Sequence, residues 1–221
     1  MAGVLIKLGT YGIIRFVLGL TPLACEYFAP IMYTLSIIGV IYASLSTLRQ
    51  TDMKRVIAYS SVGHMAIATI GIFTLTARGI EGSILLQIAH GIVSSALFII
   101  VTMLYERGHT RIIKYYRGVT VTMPIYSTLF LLFTLSNIAV PGTANFVGEI
   151  MTLTAAMEEN VVVAVLAATG VILSAAYGLF LYNRISFGAL SSYMEVAPRD
   201  LSRREFYALA PLAVLSLVYG V

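Results

Sequence analysis

The chain has 221 residues, of which 59% are hydrophobic and 11% charged, and its mean hydropathy is +0.91. A soluble domain carries about 25% charged residues, so this composition excludes a water-facing globular surface and indicates a membrane protein. The net charge of +4 is not gathered on one amphipathic face, which argues against nucleic-acid binding. The single cysteine, Cys25, excludes a disulfide framework and a metal–thiolate cluster.

Seven apolar segments follow one another along the chain. The runs do not alternate with the period of two that a membrane barrel requires, so each segment is predicted to be helical. The segments cover residues 2–20, 28–48, 53–75, 83–105, 121–157, 161–187 and 206–221. Because a spanning helix takes roughly 20 apolar residues, the sequence predicts an all-α membrane protein with about seven transmembrane helices.

The fifth segment is too long for one straight span. Pro141 and Gly142 stand near its middle, where proline removes a backbone donor and glycine weakens a helix. This pair predicts a helix broken into two halves, and interrupted hydrophobic segments mark transport sites in several transporter folds.

Basic residues fall in alternate connections between the segments. Eleven lie in or at the ends of the connections after the second, fourth and sixth segments, Arg78 alone lies in the others, and Lys7 and Arg15 lie inside the first segment. The eleven are Arg49, Lys54, Arg55, Arg107, Arg111, Lys114, Arg117, Arg184, Arg199, Arg203 and Arg204. By the positive-inside rule these connections face the cytoplasm or the mitochondrial matrix.

The stretch 189–205 is polar and too charged to span, so it is predicted to lie along the membrane surface as a connector. Both ends of the chain fall in apolar sequence. Two interpretations remain open: a truncated chain, or one half of a split protein whose other half is a separate polypeptide.

Four ionisable residues inside predicted spans are functional candidates, Lys7, His64, His90 and Glu149, because a charge in the membrane costs about 2.5–3.5 kcal/mol on insertion scales. Glu149 follows the predicted break by eight residues and could hold or pass a proton. The alternative is a structural carboxyl bonded between helices. Lys7 stands among apolar residues, with Gly9 and Gly12 allowing close approach, and a desolvated lysine can exchange a proton. The alternative for Lys7 is snorkelling to the interface.

Two histidines, His64 and His90, lie on otherwise apolar segments, and each has polar neighbours at helical spacing. These neighbours are Ser60 and Ser61 for His64, and Gln87 and Ser94 for His90. An imidazole both donates and accepts, which suits a proton relay through bound water. The alternatives are interhelical hydrogen bonds without proton traffic and, less favoured, axial haem ligation.

Lys54 is a weaker candidate for a supporting polar residue. It stands at a helix start beside Asp52, which can cap that helix, and beside Arg55. A contact with the connection or with lipid headgroups explains Lys54 equally well. No Gly-rich phosphate loop and no nucleophile–base set is recognisable, so no catalytic residue and no metal ligand is predicted.

Several long stretches occur in an order that is similar to one known family. They are AGVLIKLGTYGIIRF, LRQTDMKRVIAYSSVGHM, LLQIAHGIVSSALFI, LYERGHTR and VPGTANFVGEIMTL, with a looser match at DLSRREFYALAPL. These stretches resemble the antiporter-like, proton-pumping membrane subunits of NADH–ubiquinone oxidoreductase (respiratory complex I). PGTANFVGE together with YERGHTR resembles the chain 4 group of that family, in its C-terminal half.

The resemblance implies an antiporter-like fold with two inverted five-helix repeats, of which this chain would supply the second. Residues 1–20 would form a helix carrying the family's central lysine, at Lys7, and 21–188 a five-helix half-channel with its broken helix at Pro141 and Gly142. Residues 189–205 would be the connector and 206–221 the final helix. His64 and His90 match the relay histidines, and Glu149 matches the carboxylate of the exit half-channel.

The resemblance also implies a function, partners and a location. The chain would move protons across the mitochondrial inner membrane, or a bacterial plasma membrane, coupled to quinone reduction elsewhere. The whole complex would use FMN, iron–sulfur clusters, NADH and ubiquinone, with no cofactor in this chain. Other membrane-arm subunits would be its partners, including a separate chain with the missing first repeat. The alternatives are a subunit of a multisubunit cation/proton antiporter or a membrane-bound hydrogenase, and a structural half without proton traffic.

Overall fold

The computed structural model describes residues 3–189, 191 and 199–220, and the elements found there are helical. A π-helical turn, Ile13–Val17, joins the first two α-helices, and a short 3₁₀ helix, Ile113–Tyr115, follows the fifth. The α-helices are α1 (Leu5–Gly12), α2 (Leu18–Leu20), α3 (Pro22–Leu48), α4 (Met53–Phe73), α5 (Ala77–Gly108), α6 (Val119–Thr122), α7 (Pro124–Asn137), α8 (Ala144–Glu159), α9 (Val161–Ser186) and α10 (Arg203–Val218).

Four helices, α3, α4, α5 and α9, are long and apolar enough to cross a membrane on their own. The remaining predicted spans correspond to shorter elements: α1 to α2 with the π-helical turn, the broken pair α7 and α8, and α10 with 16 residues. The all-helical membrane fold is therefore confirmed, while the number of seven spans stays a prediction.

Two predicted helix starts are wrong by about a turn or more. The second span begins at Pro22, not at residue 28, because proline is suited to the first helical position and Pro30 is accommodated within the helix. The fourth begins at Ala77, not at residue 83, because the Thr76 side chain accepts a hydrogen bond from the Gly79 backbone. It ends at Gly108, where His109 takes a left-handed conformation. The helix ends are therefore set by local signals at the termini, and they do not coincide with the boundaries of the apolar segments.

The predicted break in the fifth segment is present. Helix α7 stops at Asn137 and α8 starts at Ala144. Between them Ala139 has a φ of 61° and Gly142 a φ of 88°, so the backbone turns through two left-handed positions that no helix contains.

The basic connections meet at one end of the bundle, which we call the basic end. The Met53 backbone donates to the Arg111 carbonyl at 3.0 Å, and the Thr120 hydroxyl donates to the Ser186 carbonyl at 2.7 Å. At the opposite, acidic end, the exposed side chain of Arg78 pairs with Glu158. This arrangement agrees with the predicted alternation of sides.

The final helix begins at Arg203 and not at residue 206, because Ser202 and Glu205 form a capping box at its start. Arg107 of α5 binds Glu205 through two nitrogens, at 2.8 and 2.9 Å. Its hydrogen bonds hold the pKa of the Glu205 carboxyl at about 2. Asp200 accepts hydrogen bonds from the backbones of Ile125 and Tyr126. Most of the predicted connector, residues 190 and 192–198, lies outside the described residues.

Helix α8 packs closely on α5 because glycines face the contact. A Cβ atom on Gly148 would stand 2.7 Å from the Leu86 backbone nitrogen, and one on Gly82 would stand 2.6 Å from the Met151 Cβ. Small residues let membrane helices approach this closely. This contact fixes the position of Glu149, the residue after Gly148.

Candidate functional site

Glu149 lies in the sixth position of α8, about one and a half turns after the break. Its side chain is 3% exposed, and Oε1 shares a 2.7 Å hydrogen bond with Nδ1 of His64. His64 lies about halfway along α4 and is equally buried. The structure thus joins the predicted carboxylate and the first predicted histidine directly.

His90 of α5 continues this contact. Its ring centroid lies 5.0 Å from that of His64, and its side chain is fully buried. Nδ1 of His90 lies 2.9 Å from Nζ of Lys7, close enough for the lysine to donate to the ring nitrogen. Four residues on four helical segments therefore stand in the order Lys7, His90, His64, Glu149, which we call the polar row.

The two histidines keep one nitrogen each that pairs with no described residue. Nε2 of His64 and Nε2 of His90 are buried, and neither has a hydrogen-bond partner within residues 3–189, 191 and 199–220. Buried polar atoms nearly always bind a protein group or a water molecule. The polar row therefore has the donors and acceptors that bound water requires.

The supporting residues differ in what they contact. Gln87 accepts a hydrogen bond of 2.7 Å from the Thr10 hydroxyl, which ties α5 to the helix of Lys7. Ser60 and Ser61 both donate to the Ile57 carbonyl of their own helix. Ser94 makes a long contact of 3.5 Å with the Gly91 carbonyl, so it adds little.

Lys54 lies apart from the polar row. It sits in the first turn of α4, at the basic end, and its Nζ stands 5.3 Å above the Tyr105 ring. Asp52 accepts from the Lys54 backbone nitrogen and caps the helix, as the sequence indicated. The placement fits a residue of the membrane surface.

Two residues beside the polar row escaped the sequence analysis. Thr10 is 5% exposed, although its neighbours face outward. Tyr177 of α9 is 4% exposed and lines a small cavity together with His64 and Glu149. A threonine or tyrosine in an apolar helix has no signal that separates packing from polar function.

No group of three or more histidine, cysteine, aspartate or glutamate side chains suited to a metal occurs within the part of the chain that the structure describes. The ionisable groups of the site instead make two direct contacts, Lys7 with His90 and His64 with Glu149.

The sequence and the fold match a known family of membrane subunits. Residues 1–187 match the family model described as "NADH:quinone oxidoreductase/Mrp antiporter, TM". The chain belongs to this family.

Individual relatives show which group within the family this chain resembles. NADH-ubiquinone oxidoreductase chain 4 of Metridium senile is 56% identical over 221 residues, which cover all of this chain and 45% of that protein. The chain thus spans about half the length of the curated relatives it matches, which fits the predicted C-terminal half. The similarity confirms the predicted family group and a multi-pass protein of the mitochondrial inner membrane.

Solved structures share the fold. In respiratory complex I from Thermus thermophilus with bound NADH, one chain is 30% identical and superimposes with a TM-score of 0.90, covering 97% of this chain and 45% of that one. A chain of the Mrp complex from Dietzia sp. DQ12-45-1b is 16% identical, with a TM-score of 0.80 over 88% of this chain and 44% of its own. The second likeness shows the fold alone.

Proposed function

We propose that this chain carries protons in the membrane arm of an NADH:ubiquinone oxidoreductase, as the part of the subunit that contains the exit half-channel. The observation that carries the proposal is the polar row, in which the half-buried Lys7 and the buried His90, His64 and Glu149 stand side by side on four helical segments. Such groups are costly in a membrane and mark ion and proton pathways. NADH oxidation and quinone reduction take place elsewhere in the complex, and this chain contributes no redox centre.

Each member of the polar row has a defined part in this proposal. Lys7 delivers a proton to Nδ1 of His90, 2.9 Å away. Imidazole can take a proton on one nitrogen and release another, so His90 and His64, whose ring centroids lie 5.0 Å apart, would pass it on through water bound at their Nε2 atoms. Glu149 receives it through the 2.7 Å bond from His64. Apolar walls keep the proton on these groups, because a charge elsewhere in the membrane is unfavourable.

The other membrane-arm subunits are the proposed partners, among them a separate chain that supplies the N-terminal helices of the relatives. An open apolar groove of about 790 Å³ beside the polar row supports this assignment. Lys7, Tyr11 and Gln87 line it, and Tyr11 is 55% exposed. A neighbour in this groove would reach Lys7 directly and could hand it protons.

A cation/proton antiporter or a membrane-bound hydrogenase subunit is the second candidate, since an Mrp complex chain has the same fold. The two assemblies differ in composition. Mass spectrometry of the native complex would find an NADH-oxidising arm in the first case and none in the second. A purely structural half is the third candidate, and mutation of the polar row separates it from the other two.

The test is Glu149→Gln in the intact complex. The amide keeps the size of the side chain and a hydrogen bond to His64, but it cannot carry a proton, so fewer protons should cross for each NADH oxidised. Glu158→Gln is the matched control, because that carboxylate is 54% exposed and lies outside the polar row. Proton uptake by proteoliposomes is measured against NADH oxidation. Unchanged pumping in the assembled Glu149→Gln complex would remove Glu149 from the path.

A further inference from the structure

Tyr177 stands between two small cavities. The first has a volume of about 10 Å³ and is lined by His64, Glu149 and Ser174. The second has the same volume and is lined by Ser60, Thr134 and Asn137. Tyr177 lines both, and its side chain is almost completely buried.

Each cavity has the size and the polar lining that one water molecule needs. About 10–15 Å³ is enough for the centre of a single water, provided that two to four polar groups surround it. Glu149 and Ser174 supply such groups in the first cavity, and Asn137 and Thr134 in the second. Tyr177 shares the lining of the first cavity with Glu149 and that of the second with Ser60. Its side chain therefore forms part of the wall of both cavities.

The second cavity lies nearer the basic end than the first. On α4, Ser60 precedes His64 by one turn, about 6 Å toward the start of the helix at the basic end. On α9, which runs toward the basic end, Leu181 of the second cavity follows Ser174 of the first by about two turns. Asn137 is the last residue of α7, so the second cavity also opens onto the broken helix.

We propose that Tyr177 connects Glu149 to a second water site, at Ser60, Thr134 and Asn137, and so gives the carboxylate a branch directed toward the basic end of the bundle. The proposal rests on the proton path proposed above. Tyr177 is a positioning residue in it: a hydroxyl can donate to one neighbour while it accepts from another, so it orders the water on both sides. A proton on Glu149 then has two groups that can accept it, His64 and the water beside Tyr177.

The first test is Tyr177→Phe in the intact complex, which removes the hydroxyl and keeps the ring. Tyr182→Phe is the matched control, because Tyr182 is buried on the same helix and lines neither cavity. Proton pumping should fall about fivefold in the Tyr177 variant, the factor that corresponds to one ordinary hydrogen bond, and its solvent deuterium isotope effect should rise. A residue that only fills space would leave the isotope effect unchanged.

Glu149→Gln is measured beside these variants so that two failures can be told apart. Impaired pumping in Glu149→Gln with normal pumping and a normal isotope effect in Tyr177→Phe overturns the role of Tyr177 alone. Normal pumping in both overturns the proton path and the branch together.

A second measurement does not depend on any variant. An experimental map of the wild-type complex, at a resolution that shows ordered water, should contain one water in each cavity within hydrogen-bond reach of the Tyr177 hydroxyl. A dry cavity at Thr134 and Asn137 would overturn the proposal even if the Tyr177→Phe complex failed to assemble.

Discussion

Substitution of Gly148 by alanine should disturb the proton path without touching any ionisable group. The new Cβ atom would stand 2.7 Å from the Leu86 backbone nitrogen and 2.8 Å from its Cα. Ordinary contact begins near 3.4 Å, so α8 would have to move away from α5 by about 0.7 Å. The neighbouring atoms belong to backbone, which cannot rotate away.

The displacement acts directly on the next residue, Glu149. If the whole displacement lay along the bond to His64, that bond would lengthen from 2.7 Å to about 3.4 Å, past the usual limit of a hydrogen bond. Overpacking of this kind costs about 1–3 kcal/mol of stability. Since a misplacement of about 1 Å can cost about a hundredfold in rate, we expect pumping to fall at least about tenfold.

The assay compares proton pumping, NADH oxidation and assembly on native gels. Gly39→Ala serves as the control, because its Cβ would lie 3.4 Å from that of Ala66, at an ordinary contact distance between two membrane helices. A Gly148→Ala complex that assembles and pumps at the wild-type rate would refute the reasoning, since it would mean that α8 and α5 can part without moving Glu149.

Two further predictions concern stability. Gly142→Ala should lower the free energy of unfolding by about 1–2 kcal/mol, because the φ of 88° is unfavourable for a residue with a Cβ. Thermal unfolding of the detergent-solubilised complex measures this change. An unchanged melting temperature would contradict the prediction. Glu205→Gln should loosen α10 by about 1 kcal/mol through the loss of the ion pair with Arg107, while the amide keeps the capping box, and this should appear as faster proteolysis near the start of the helix. Because the pKa of Glu205 falls from 4.5 to about 2 on folding, its contribution is complete above pH 4.5 and is lost as the pH drops toward 2. The difference between variant and wild type should therefore vanish in strong acid, and a difference that persisted there would exclude the ion pair as its cause.

The sequence was sufficient for features that have a local chemical cause. Pro141 and Gly142 interrupt an apolar run, and the structure breaks the helix there. Buried ionisable groups are rare enough in apolar segments that Glu149, His64 and His90 could be chosen by inspection, and the structure brings them together. Their functional roles stay predictions.

Features that depend on which helix faces meet could not be predicted. Helices α4 and α5 carry apolar residues on every face, so the sequence did not show which faces meet. It therefore could not show that His90 stands between Lys7 and His64. Tyr177 resembled any packing aromatic until α9 was placed against α4. Helix starts were missed for a different reason: a proline at the first helical position begins α3 and the Thr76 side chain caps α5, and neither signal is a change in hydropathy.

The turn between α7 and α8 is held rigid, which restricts how this bundle can change shape. Ala139 keeps a φ of 61°, a conformation that costs an alanine about 1–2 kcal/mol and persists only where its surroundings enforce it. Gly178 of α9 packs against Ile138, and Gly220 lies against the Thr143 backbone. A segment clamped from two sides is a poor hinge. In the proposed proton path, rearrangement around Glu149 would then be confined to side-chain rotation and water movement, while the two half-helices keep their angle.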